Sequence, residues 1–276
     1  HAGKYLAKDE VRYGLLIGIA KVISGNPNYY GPEKPWFCTV GADPKPLARL
    51  GPEMYAAAWR TPPFMVGVAH FSGNFDAVAE QLVIAASSQF KSVPGVVGDK
   101  GLADRFAACW CGKYGLKIQD TQAQRLYKLV KVNGIPIAPG KLRVATEADK
   151  EILKKWSHGF HIDCFGSNSK VPEYDATLRI TEGTVFIWED SGKPVSMAVN
   201  NRATEKGASV GGVYTPPELR GRGYATSCVA EVSRKILQSG KQFCTLYTDL
   251  ANPTSNSIYM KIGYNPVCDS VQHMFG

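Results

Sequence analysis

The chain has 276 residues, 44% of them apolar and 20% charged, with a formal net charge of +8. That balance supports a packed core and excludes the disordered and low-complexity classes. No apolar run approaches the roughly 20 residues that span a bilayer. The charge is spread as +6 over residues 1–140 and +2 over 141–276 without a Lys/Arg cluster, so neither a membrane nor a nucleic-acid partner is expected. The length favours two domains of ordinary size. The seven cysteines (Cys38, Cys109, Cys111, Cys164, Cys228, Cys244 and Cys268) form no Cys-x-x-Cys pair. Free thiols in a reducing cytoplasm, with no metal site, are the expectation.

In chain order, residues 11–24 are expected to form a strand or hairpin limb, followed by a turn at Gly25-Asn-Pro-Asn28. Short strands are expected at 36–40, 56–60 and 64–69, the last two split by Thr61-Pro-Pro63. Asn74 is placed to cap a helix running to about Gln89, and Asp99 to start a second one with Leu102, Phe106 and Trp110 inside. A strand follows from about Arg125. Gly134-Ile-Pro-Ile-Ala-Pro-Gly140 then reads as a linker, with two prolines and two glycines between patterned segments.

Beyond it, 142–145 is a strand, and Thr146-Glu-Ala-Asp149 is a helix start with an acid placed to support a threonine cap. Ile152, Leu153, Trp156 and Phe160 line the buried face of that helix, and 174–180 form a second short one. Residues 184–188 and 195–199 alternate as a hairpin. After them come a strand to Tyr214, a helix from Ala225 ending near Gly240, a strand at 243–249, a helix at 252–263, and strands at 264–269 and 271–275. No internal repeat is evident in the sequence.

The most informative stretch is Val210–Cys228. Pro216 and Pro217 stop the strand, Gly221 and Gly223 allow close backbone approach, and an amphipathic helix follows. A glycine turn at a helix N-terminus presents unpaired N–H groups and a positive dipole end, which suit a phosphate or pyrophosphate. Arg220 and Arg222 add charge there. A lone Gly-x-Gly with two arginines is better read as a plain surface turn. A P-loop is absent, and Thr226 spoils a dinucleotide fingerprint.

With the strand before it and the helix after it, Arg220-Gly-Arg-Gly-Tyr-Ala225 resembles the acyl-CoA-binding pattern Arg/Gln-x-x-Gly-x-Gly/Ala of the GNAT-type N-acetyltransferases. Asn252-Pro-Thr-Ser-Asn256 with Tyr259, Gly263 and Tyr264 resembles the family's second characteristic helix and the strand after it. The resemblance covers residues 141–276. It implies an α/β (α+β) fold with a central mixed, mostly antiparallel sheet flanked by helices. Residues 1–135 resemble a degenerate second GNAT-like domain without the Arg-Gly-x-Gly turn, and 136–140 form the linker between them.

The resemblance further implies transfer of an acetyl group from acetyl-CoA directly to a primary amine through a ternary complex. No Ser-His-Asp or Gly-x-Ser-x-Gly arrangement points to an acyl-enzyme. The backbone of Val213, Tyr214 and Thr215 is assigned to the pantetheine arm, which adds to a strand by amide hydrogen bonds. Arg220, Gly221, Arg222, Gly223, Tyr224 and Ala225 are assigned to the pyrophosphate. An N–H near Val213 is assigned to the developing oxyanion.

Tyr259 matches the tyrosine that faces the CoA sulfur and is the candidate general acid for the leaving thiolate. Alternatively, Ile258, Tyr259 and Ile262 form one core face. Asn252 and Asn256 contact CoA amides, or cap and brace their helix. His161 and Asp163 are candidates for the acceptor cleft, with His158, Glu173 and Asp175 as weaker ones. The acceptor is a small-molecule or protein amine, and the protein a monomer or homodimer. The rival classes are a non-catalytic acyl-CoA sensor or scaffold, and a protein whose phosphate-like turn binds a nucleotide or nucleic acid.

Overall fold

The run Leu15-Leu16-Ile17-Gly18-Ile19, expected as a strand, is helical in the computed structural model: α1 spans Ala2–Leu6 and α2 spans Gly14–Gly25. Leu16, Ile19 and Ile23 recur at helical spacing and lay one stripe on a core. In so continuously apolar a run, period-two alternation is absent and periodicity alone does not separate strand from helix. The structure describes residues 2–42, 53–166 and 176–276. They divide into two units. Unit 1 comprises His1–Leu126, Thr248–Asn252 and Pro266–Gly276, and unit 2 comprises Tyr127–Tyr247 and Pro253–Asn265. The division falls within a strand at Leu126/Tyr127. Residues 136–140, the expected linker, pack inside unit 2, where Trp188 Nε1 donates to Pro139 O at 2.9 Å.

In unit 1, β1 (Trp36–Gly41), β2 (Met54–Arg60) and β3 (Val66–His70) pair antiparallel in order. After helix α3 (Phe75–Gln89), β4 (Gly95–Asp99) pairs parallel to β3. Helix α4 (Lys100–Tyr114) and strand β5 (Ile118–Leu129) follow. The expected caps form: Asn74 accepts from the amides of Asp76 and Ala77, and Asp99 from those of Gly101 and Leu102. Alternation sends Ala56, Ala58, Val66 and Val68 to a core shared with α3 and α4, while Ala57, Trp59 and Ala69 face α2. The strand beyond β4 is the last one in the chain, β11 (Asn265–Phe275), paired antiparallel from Ser270↔Asp99 to Met274↔Gly95.

In unit 2, β6 (Lys141–Val144), β7 (Val185–Asp190), β8 (Lys193–Asn201) and β9 (Gly207–Tyr214) pair antiparallel in order. After α7 (Tyr224–Gln238), β10 (Phe243–Asp249) pairs parallel to β9. Helices α5 (Lys150–Phe165) and α6 (Ala176–Thr181) lie between β6 and β7, and α8 (Pro253–Ile262) follows β10. Val185 and Ile187 face α5 through Leu153 and Trp156, while Phe186 and Trp188 face α7 through Cys228, Val229 and Val232. Tyr127 and Leu129, from the end of β5, lie in this second core.

The sheets are mixed and mostly antiparallel with helices against them, as expected. The order β-β-β-α-β-α, with the same strand directions, occurs once as β1–β2–β3–α3–β4–α4 and again as β7–β8–β9–α7–β10–α8. This repeat of topology is not evident in the sequence.

Candidate functional site

The site is built where β9 hands over to α7. Strand β9 has β8 on one side, and its register shifts: Val199 faces Gly211, while Met197 faces Tyr214. The extra residue is absorbed at Gly212, whose φ of +56° is the left-handed conformation that a glycine bulge requires. A Cβ there would lie 2.8 Å from Val199 Cγ2. On its other side β9 pairs with β10 over Gly207–Ser209, and both strands run on past that point, to Tyr214 and Asp249. The bulge re-aims the backbone around Val213. The Tyr214 carbonyl accepts from Ser196 Oγ at 3.0 Å and the Thr215 carbonyl from Arg220 Nε at 2.9 Å.

Pro216 leads into a 3₁₀ turn at Pro217–Leu219, and the chain then enters α7 through two left-handed glycines, Gly221 at φ +77° and Gly223 at φ +79°. A Cβ at Gly221 would meet nothing within 4 Å, and one at Gly223 only Ala138 Cβ at 3.7 Å, so both face open space. Among the described residues no side chain caps α7. The first helical bond is Ser227 N to Gly223 O at 3.0 Å, and the amides before it belong to a first turn that has no intrahelical acceptors for them.

The expected pyrophosphate residues divide by what they can offer. Gly221, Gly223 and Ala225 offer backbone. Tyr224 does so too, because its ring is buried and its hydroxyl donates to Asp190 Oδ2 at 2.6 Å, which raises the phenol's pKa. Arg222 is exposed and reaches the Glu218 carbonyl at 3.4 Å.

The equivalent helix of unit 1 is closed to an anion. At the head of α3, Asn74 Oδ1 takes the amides of Asp76 and Ala77 at 2.9 and 3.1 Å, and Asp76 puts a carboxylate in the first turn. A side-chain cap and a negative charge occupy what a phosphate would use.

Helix α8 carries Tyr259, 8% exposed, in the core with Ile262 and edge-on to Tyr264 at 6.1 Å between ring centroids. Burial pushes the phenol up to about 12, against a smaller opposing effect of a hydrogen bond with Ser255. It is thus a neutral donor throughout the ordinary pH range. Asn256 is held by the Tyr127 hydroxyl at 2.7 Å, and Asn252 N donates to Asp249 O at 3.1 Å in the turn before the helix.

On α5, Trp156, Gly159 and Asp163 share one face. Gly159 lies against the Tyr214 hydroxyl, and Trp156 stands 6.4 Å from the Tyr214 ring. Burial raises the Tyr214 phenol. Asp163 accepts from Arg220 Nη2 at 2.6 Å, which joins two expected site residues 57 positions apart. His161 packs on Phe165, and burial, aided by His158, lowers its pKa, so the imidazole is mostly neutral at pH 7. His158 is exposed. Glu173 and Asp175 lie outside the described residues.

Two features escaped sequence reasoning. Gly211-Gly212 within a strand was available as a bulge signal. The use of Asp163 by Arg220 had no local signal.

Residues 191–271 match the family model described as FR47-like protein. Among solved structures, a Drosophila protein is similar at a TM-score of 0.67 and 14% identity, over 98% of this chain and 93% of that one. A GCN5-related N-acetyltransferase from Sphaerobacter thermophilus is similar at a TM-score of 0.56 and 14% identity, over 80% and 76%. An acetyltransferase of the GNAT family from Colwellia psychrerythraea is similar at 0.52 and 15%, over 81% and 82%. At these identities the likeness is one of fold. No curated protein sequence matches the chain.

Proposed function

We propose that the chain is a GNAT-type N-acetyltransferase, a reading supported by its fold and by the FR47-like match over residues 191–271, and that it moves an acetyl group from acetyl-CoA directly to a primary amine within a ternary complex. The observation that carries the proposal is the continuity of the bulged strand β9 with an uncapped glycine turn at the head of α7. The bulge offers strand-like backbone to the amides of a pantetheine arm. The turn offers amides and a helix dipole to the pyrophosphate.

In this reading the amine nitrogen bonds to the acetyl carbon, and the C–S bond breaks. The Val213 N–H steadies the oxyanion, and Tyr259 gives its proton to the departing thiolate. The proton lost by the amine passes to water or to His161, whose neutral imidazole can accept it. The acceptor is a small-molecule or protein amine. No helix among the described residues is long and apolar enough to cross a membrane, and the seven free cysteines support a reducing, cytoplasmic setting.

The test is release of free CoA from acetyl-CoA, measured with glycine, spermidine, benzylamine, an aminoglycoside and a lysine-bearing peptide. Titration calorimetry with acetyl-CoA runs beside it. Failure to bind acetyl-CoA overturns the proposal. The deep burial of Tyr259 favours one alternative, an acyl-CoA-binding sensor or scaffold. Tight binding with no turnover across the amines is its signature.

A further inference from the structure

Arg220 stands in the glycine-turn motif, where a phosphate-binding role is the first expectation. Its guanidinium points elsewhere. Nε donates to the Thr215 carbonyl at 2.9 Å, Nη2 donates to Asp163 Oδ2 at 2.6 Å, and the group lies 5.8 Å from the centroid of the Tyr214 ring. These contacts lie at the end of β9, on α5, and on the aromatic ring between them. One turn earlier on α5, Gly159 lets that helix sit against the Tyr214 hydroxyl, so a second contact fixes the same approach. The planar fork of arginine suits such a junction, because two N–H groups in fixed geometry bridge a carbonyl and a carboxylate. Lysine has no such fork. The anion-binding capacity of the turn does not need this side chain, since it comes from the amides that follow Gly221.

We propose that Arg220 is a positioning residue for the acceptor side: it braces the C-terminal turns of α5, with His161 and Asp163, against the end of β9, and it is not a phosphate ligand. The inference deepens the acetyltransferase reading and rests on it for the word acceptor. The brace itself is testable without it.

The experiment compares wild type with Arg220→Ala, Arg220→Lys and Asp163→Asn, using amide hydrogen exchange over residues 160–166 and calorimetric titration with acetyl-CoA. Loss of the brace is expected to speed exchange in that segment by about 5-fold, the scale of a partly exposed ion pair. Arg220→Ala and Asp163→Asn should act alike, and Arg220→Lys should restore little. Acetyl-CoA affinity should stay within about 2-fold in all three, less than the loss of one charged hydrogen bond. With whichever amine of the panel turns over fastest, KM for the amine should rise while KM for acetyl-CoA holds.

The proposal is overturned if Arg220→Ala weakens acetyl-CoA by about 10-fold or more while Asp163→Asn does not, since that pattern marks a phosphate ligand. Unchanged exchange over 160–166 in both variants overturns it as well. If wild type fails to bind acetyl-CoA, the function is wrong, and the exchange data still decide the brace.

Discussion

The Tyr127 phenol donates to Asn256 Oδ1 at 2.7 Å, which ties the helix of Tyr259 to a residue 129 positions upstream. Tyr127 and its neighbour Leu129 are buried in the core of unit 2, although they precede the proline-glycine segment at 134–140. Conversely β11, at the end of the chain, pairs with β4 of unit 1. A polypeptide of residues 141–276 therefore lacks part of its core and carries a strand whose partner is missing. It is expected to show no cooperative thermal transition by circular dichroism. A sharp transition in that fragment, with intact acetyl-CoA binding, would show the segment to be a true domain boundary.

Gly221 and Gly223 are left-handed and face open space. Valine at either position meets unfavourable φ, costing about 1–3 kcal/mol, and its side chain stands where the phosphates would approach. Acetyl-CoA affinity is expected to fall by about 100-fold, the loss of roughly two charge-assisted hydrogen bonds. Calorimetry on a variant shown folded by circular dichroism checks this. Unchanged affinity removes the turn from the binding site.

Gly212 makes the β9 bulge, and a Cβ there would lie 2.8 Å from Val199 Cγ2. Gly212→Ala is expected to destabilise by about 1–3 kcal/mol through strain at positive φ, and to weaken acetyl-CoA by re-aiming Val213. Urea unfolding and calorimetry measure the two effects. A neutral substitution on both counts would mean that the bulge has no part in binding.

Tyr259→Phe keeps the ring and removes the hydroxyl. If the hydroxyl protonates the thiolate, kcat should fall by about 10²–10⁴-fold with KM for acetyl-CoA steady. With its pKa pushed up to about 12, the phenol stays protonated as pH rises, so it should contribute no basic limb to kcat up to pH 10. Tyr259→Ala should in addition destabilise by about 3–5 kcal/mol, because the ring is part of the core. Wild-type kcat in Tyr259→Phe, with chemistry rate-limiting, excludes the general-acid role.

Asp149 receives both terminal nitrogens of Arg143 at 2.7 and 2.8 Å and closes the capping box with Thr146. The hydrogen bond from Arg143 lowers its pKa more than burial raises it. A depressed native pKa means that this stability is present above the unfolded carboxyl value and is lost as pH falls through the native one. Asp149→Asn should cost about 1–3 kcal/mol at pH 7 by leaving Arg143 with Glu189 as its only carboxylate among the described residues, and the gap from wild type should narrow below about pH 4. Urea midpoints at pH 7 and pH 3 test this. An equal gap at both pH values would rule out the ion pair as the source.

The sequence by itself determined the features that rest on local chemistry. Asn74, Asp99 and Thr146 cap where their side chains reach the next turn, and β10 runs over the expected Phe243–Asp249. The two left-handed glycines stand between β9 and α7 as the motif implies. Each of these depends on residues within a few positions of one another. Tertiary structure decided the rest. Residues 15–20 are apolar at every position but Gly18, so only the sheet they cover selects a helix. Leu129 and Val271 complete cores because non-local pairing puts them there, and no periodicity encodes a partner more than a hundred residues away. Arg220 and Asp163 are both ordinary charged residues in sequence, and their meeting at 2.6 Å exists only because α5 packs across the end of β9. Short-range hydrogen bonding is written in composition and spacing, whereas the choice of a distant partner is made by burial of the whole chain.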